Sequence, residues 1–133
     1  MSVHASQWEY LLRLFGLIVM VDNKVYQEEV EAFIDAAMRL QKTVSPNMIL
    51  TRHMVLEWFI GHKDRLQKVV NARDYDRELI EVIAQLRGIP NKVEILNAMI
   101  DVALSDEFYH AKEKMIVKKT VLYWNIDPAE INA

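Results

Sequence analysis

The chain has 133 residues, 52% hydrophobic and 26% charged, which fits a single domain over 1–133 with a real core and excludes a disordered chain. A net charge of −3 argues against nucleic-acid binding by charge, and the absence of cysteine excludes disulfides, thiolate metal sites and thiol catalysis. With only 3 Gly and 3 Pro, the chain is too sparsely punctuated for many turns, so long helices are expected.

The first predicted helix runs from about Gln7 to Val21. Trp8, Leu11, Leu12, Phe15, Ile18 and Val19 recur at helical spacing, and Leu14, Leu17 and Met20 make the other side apolar too. A helix apolar nearly all round belongs in the middle of a bundle. Its most apolar window, Leu11 to Val21, is broken by Arg13 and Gly16. It falls well short of the roughly 20 residues that a membrane span needs. No basic stretch leads into an apolar run with a small-residue cleavage site, so a cytoplasmic location is expected.

A second helix is predicted from Tyr26 or Gln27 to about Lys42, with Val30, Phe33, Ile34, Ala37 and Met38 as its core stripe. Glu28, Glu29 and Glu31 suit the positive end of its dipole. In "SPNMILTRHMVLEWFIG" Ser45 reads as N-cap, Pro46 as the first helical residue and Gly61 as the residue just past the end. A short amphipathic piece, "KDRLQKVV", follows. The next helix starts at Asp74 or Asp76 and is stopped by Gly88 and Pro90. "NKVEILNAMIDVALSD" is apolar on most sides, and the last long helix is predicted from about Ala111 to Trp124. Asp127 and Pro128 open one more turn. No segment alternates at period two, so the expected fold is an all-α compact bundle of about seven helices.

Shifting the chain by 84 residues aligns Leu12 with Leu96, Asp22 with Asp106 and Glu29 with Glu113. Apolar positions follow: Phe15 faces Met99, Ile18 faces Val102, Phe33 faces Val117, Ala37 faces Val121 and Met38 faces Leu122. This is the pattern of a pseudo-repeat of two helical hairpins. The first copy is acidic at Glu28 and Asp35, where the second carries Lys112 and Lys119.

In each copy an Asp precedes a Glu by seven residues, Asp22 with Glu29 and Asp106 with Glu113. These four carboxylates are the candidate metal ligands, for a hard divalent cation held by oxygen. They do not form an EF-hand, because the twelfth position is Phe33 in one loop and Val117 in the other. A structural reading stands beside this one. Glu29 and Glu113 fall three residues after Tyr26 and His110, where a Glu side chain can reach back to the N-cap N–H, and the Asp residues can form Asx turns. His53 and Glu57, with His62 and Asp64 beyond, lack an HExxH pattern and read as a solvated helix side. No Ser-His-Asp setting and no glycine-rich phosphate loop is found, so a non-enzymatic protein is expected.

The unit of apolar helix, Asp-containing loop, Glu and amphipathic helix resembles the signature of the TerB-like superfamily. That superfamily includes the tellurite-resistance protein TerB and the N-terminal region of the DjlA co-chaperone. Here the unit reads "VMVDNKVYQEEVEAF" and "VALSDEFYHAKEKMI", and the resemblance covers about residues 8–126. It departs from the pattern at the loop glycine, which is Asn23 in one copy and Glu107 in the other, and at Lys112 where Glu is favoured. The resemblance implies a seven-helix fold, a role near tellurite or other chemical stress, and acidic residues that hold a metal cation. The alternative is a protein-interaction or scaffold module with acidic and basic faces and no metal. It would engage a partner in a stress-related complex or form a homodimer.

Overall fold

The computed structural model describes residues 5–21, 27–105, 111–127 and 129. Six helices and no strand are present among them: α1 (Ala5–Met20), α2 (Gln27–Val44), α3 (Arg52–Val70), α4 (Tyr75–Gln85), α5 (Lys92–Ala103) and α6 (Ala111–Trp124). The further turn expected after Asp127 lies almost wholly outside the described residues. None of these helices is long and apolar enough to cross a membrane.

Apolar residues on every side of α1 determine the arrangement. From Leu11 to Val21 every residue except Arg13 is buried. To cover such a helix, neighbours must approach from all directions, and α1 packs against α2, α3, α4 and α5. The other strongly apolar helix, α5, packs against α1, α2 and α6. Its Ile95, Leu96, Ala98, Met99, Ile100, Val102 and Ala103 are all buried. α6 closes the bundle against α4 and α5. The indole N–H of Trp124 donates to the Ile83 carbonyl at 2.9 Å, which fastens the end of α6 to α4.

The start of α3 differs from the sequence reading. Ser45 is not its N-cap and Pro46 does not open it. Instead residues 45–51 form a connection held by Gln41, whose Nε2 donates to the Ser45 and Met48 carbonyls at 2.9 and 2.8 Å. The cap is Thr51, whose hydroxyl accepts from the Met54 N–H at 3.2 Å. Gly61 does not end the helix either. It is exposed, and a Cβ there would meet nothing within 4 Å, so the helix runs through it and takes in "KDRLQKVV".

α6 matches its predicted bounds, but Leu122 does not join the core. The buried stripe is Glu113, Ile116, Val117, Thr120 and Trp124, which places Leu122 on the opposite face at 76% exposure. The correspondence with Met38 therefore fails, whereas Phe15 with Met99 and Ile18 with Val102 are buried in both copies. The methionines are likewise divided: Met20 and Met99 are buried, while Met54 and Met115 are exposed. Past Trp124, Asn125 takes a left-handed backbone with φ 56°. The Asn125 N–H donates to the Leu122 carbonyl and the Ile126 N–H to the Val121 carbonyl. This helix-ending pair of bonds turns the chain so that Ile126 is buried.

Gly16 sets the distance between α1 and α3. A Cβ on it would lie 2.7 Å from Leu66 Cδ1 and 3.6 Å from Trp58 Cζ3. In an open helix, alanine in place of glycine gains about 1 kcal/mol. Here the overpacking should outweigh that gain, and Gly16→Ala is expected to lose about 1 kcal/mol in urea denaturation. In a Leu66→Ala background the same change should be neutral or stabilising, because the contact is gone. Equal effects in both backgrounds would show that the close approach does not require glycine.

Candidate cation-binding loops and the adjoining cleft

Glu29 and Glu113 are fully withdrawn from solvent. α2 begins at Gln27 and α6 at Ala111, so each glutamate is the third residue of its helix, as the sequence spacing requires. A carboxylate in the first turn faces the positive end of the helix dipole and can turn back toward the N-cap N–H. Burying a carboxylate costs several kcal/mol unless donors or cations surround it. Both glutamates are engaged within the fold. Asp22 and Asp106, the other two candidate ligands, lie outside the described residues, as do Asn23, Tyr26, Glu107 and His110.

Described residues next to each loop line one cleft. Val21, the last described residue before the first loop, and Lys112, in the first turn after the second, line the same cleft of 310 Å³. Arg73, Tyr75 and Asp76, from the α3–α4 connection and the start of α4, complete its polar wall. A site shared by both loops requires this placement, since loops at opposite ends of the bundle could not cooperate. Among the described residues alone, no group of three or more His, Asp or Glu side chains is arranged to hold a metal ion.

The histidines of α3 do not build a zinc site. His53 Nε2 pairs with Glu57 Oε1 at 2.9 Å on an exposed face. His62 points elsewhere. Its Nδ1 lies 2.7 Å from the Trp58 carbonyl, which can only accept, so this nitrogen carries the proton. The imidazole stacks on the Trp58 ring at 4.2 Å, and its Nε2 lies 3.6 Å from Glu9 Oε1. Glu9 Oε2 accepts from the Trp58 indole N–H at 2.9 Å, and Arg13 Nε lies 3.4 Å from Glu9 Oε1. Glu9 is thus a hub joining α1 to α3, which the sequence reading missed. The signal was there: Glu9 and Arg13, an acid and a base four apart, are the only charged residues of a predominantly apolar helix.

The acidic face expected on α2 is in part neutralised. Arg52 of α3 reaches both Glu31, at 2.9 Å, and Asp35. Its guanidinium is held still more firmly in the charged form, first by the hydrogen bond to Asp35. On α6, Lys119 pairs with Asp76 at 3.0 Å, while Lys112, Lys114 and Lys118 are exposed. The Tyr75 hydroxyl is buried without a hydrogen-bond partner, and burial, with the Asp76 charge beside it, pushes its pKa up to about 12.

A family model described as "Tellurite resistance protein TerB" matches residues 10–133. No curated protein and no solved structure matches the chain.

Two outcomes are expected from this geometry. Glu9→Ala strands the Trp58 indole N–H and should cost about 1–2 kcal/mol in denaturant unfolding, with a shift in tryptophan emission. Unchanged stability and emission would remove Glu9 from its role as hub. Tyr75 favours the folded state while its phenol is protonated, and the unfolded phenol titrates near 10. Its contribution is therefore intact below about pH 10 and lost as pH rises through about 12. The difference in stability between wild type and Tyr75→Phe should change over that window, and a pH-independent difference would contradict the assignment.

Proposed function

The chain belongs to the TerB family, and from that premise we propose that it is a non-enzymatic, cytoplasmic domain of a tellurite or chemical-stress response that binds a divalent cation. The ligands in this reading are Asp22, Glu29, Asp106 and Glu113. One observation carries it. Two glutamates, each seven residues after an aspartate, are both completely buried at the third position of a helix. Two carboxylates taken wholly out of water are an expensive way to cap two helices, where an exposed acid or a glutamine would serve. A hard cation gains from such groups, because calcium and magnesium favour oxygen ligands and carboxylates among them. The common cleft at Val21 and Lys112 supports a joint arrangement of the two loops. It also accords with the paired hairpins of the sequence.

The first loop is the stronger of the two in this reading. Its flanking residue Glu28 is exposed and acidic, whereas the second copy has Lys112 at the matching position, and a nearby ammonium group repels a cation.

Calorimetric titration with Ca²⁺, Mg²⁺ and Zn²⁺ tests the proposal. A glutamine at the third helical position keeps the cap but not the charge. Glu29→Gln should therefore leave the stability of the metal-free protein within about 1 kcal/mol of wild type while lowering cation affinity tenfold or more. Glu113→Gln should have the smaller effect on affinity. No heat and no spectral change at about millimolar concentrations of all three ions would end the cation reading and leave the glutamates as caps.

A further inference from the structure

α6 is apolar on two opposite sides, and the bundle covers only one of them. Ile116, Val117 and Trp124 are buried on the side that meets α4 and α5, while Met115 and Leu122 face outward at 51% and 76% exposure. The outward pair is seven residues apart, two turns along one side of the helix. Ala111, Met115, Lys118 and Leu122 follow one another at steps of four, three and four, the spacing of a seam that pairs with a second helix. Lys112 and Lys119 flank that seam on one side and Lys114 on the other. The one acid of α6, Glu113, is buried, so every charge the helix shows to solvent is positive, in a chain whose net charge is −3. We propose that this outer face of α6 docks an acidic amphipathic helix of a partner protein. The partner's apolar residues, at heptad spacing, cover Met115 and Leu122, and its carboxylates meet the flanking lysines.

Charge selects the occupant. A second copy offering the same face would set lysines against lysines, which repels. The acidic side of α2 on a second copy has Glu31 and Asp35 already paired with Arg52. A lipid surface places no demand on the spacing of apolar residues, and Lys118, between Met115 and Leu122, works against their insertion among acyl chains. In a helix pair the same lysine has a use. A charged residue within a seam fixes the register, because only a partner with an acid opposite it avoids stranding the charge. Lys119 shows that this side of α6 already takes a carboxylate, since it holds Asp76 of α4 at 3.0 Å.

This goes beyond the cation reading, and it is tested with divalent cations removed by a chelator, so that the failure of one does not imply failure of the other. The probe is a fluorescent peptide of about three heptads, with leucine at the seam positions and glutamate beside them, titrated into the full chain and followed by anisotropy. Saturable binding that weakens severalfold between low and high salt is the expected result. Leu122→Ala should weaken it about tenfold, and Lys118→Glu tenfold or more. Ile60→Ala, loss of an exposed apolar side chain on α3, should change affinity less than about twofold. All three positions are exposed, so circular dichroism should confirm folded variants. A peptide with lysine in place of each glutamate should not bind. Four results would each overturn the proposal. They are no saturation by about 1 mM peptide, equal binding of a scrambled peptide of the same composition, and a loss in Ile60→Ala equal to that in Leu122→Ala. The fourth is sedimentation with vesicles of phosphatidylcholine and phosphatidylserine without any binding of the peptide, which would assign the face to lipid.

Discussion

A helix that is apolar on all sides has to be hidden on all sides, and α1 imposes that demand on the whole molecule. Leu11 to Val21 is buried apart from Arg13, and four helices are needed to do it. The close approach of α3 is where the demand is met most tightly, because Gly16 lets Leu66 and Trp58 come to the backbone of α1. The polar contacts follow from this approach. Once Trp58 is drawn against α1, its indole N–H needs an acceptor, and Glu9 provides it while also facing Arg13 and His62. Packing comes first here, and the polar hub settles what packing would otherwise leave unsatisfied.

The same logic governs the loops. α1 and α5 are the two most apolar helices, and each must leave the core at its C-terminal end through a short connection to a helix with a polar face. The buried glutamates sit at those exits, one at the start of α2 and one at the start of α6. A charged group at such a position strengthens the local field, since low-dielectric surroundings amplify its interactions in either direction. The neighbouring cleft is lined by Arg73, Tyr75, Asp76 and Lys112, and the Asp76 carboxylate is paired with Lys119.

Much of this was legible in the sequence, and for identifiable reasons. The bounds of α6 and the third-residue positions of Glu29 and Glu113 were readable because acidic first turns and helical spacing coincide there. The family was readable from the two Asp-to-Glu spacings. The start of α3 was not, because Ser45-Pro46 is a valid cap in isolation. The deciding contact is a distant side chain, Gln41, whose pull on two loop carbonyls has no local signature. Gly61 misled for a similar reason: a glycine ends a helix only if the chain turns there, and nothing near it forces a turn. Leu122 was misassigned because a run of apolar residues was matched copy to copy, while the face of α6 is decided by its contacts with α4 and α5. Tyr75 gave no signal at all, since its unsatisfied hydroxyl exists only in the packed state.

The Gln41 amide has a consequence of a different kind. Both of its partners are carbonyls, so both of its hydrogens are engaged, and the orientation of the amide is fixed without ambiguity. The isosteric carboxylate has no hydrogen to offer at neutral pH, and would set a negative oxygen against two carbonyl oxygens in a buried place. The connection that carries the chain from α2 to α3 is therefore secured by the covalent integrity of one nitrogen. Hydrolysis of that single amide, a change that alters neither shape nor volume, would convert the tie into a repulsion. The durability of this part of the fold is a matter of chemical ageing as well as of packing.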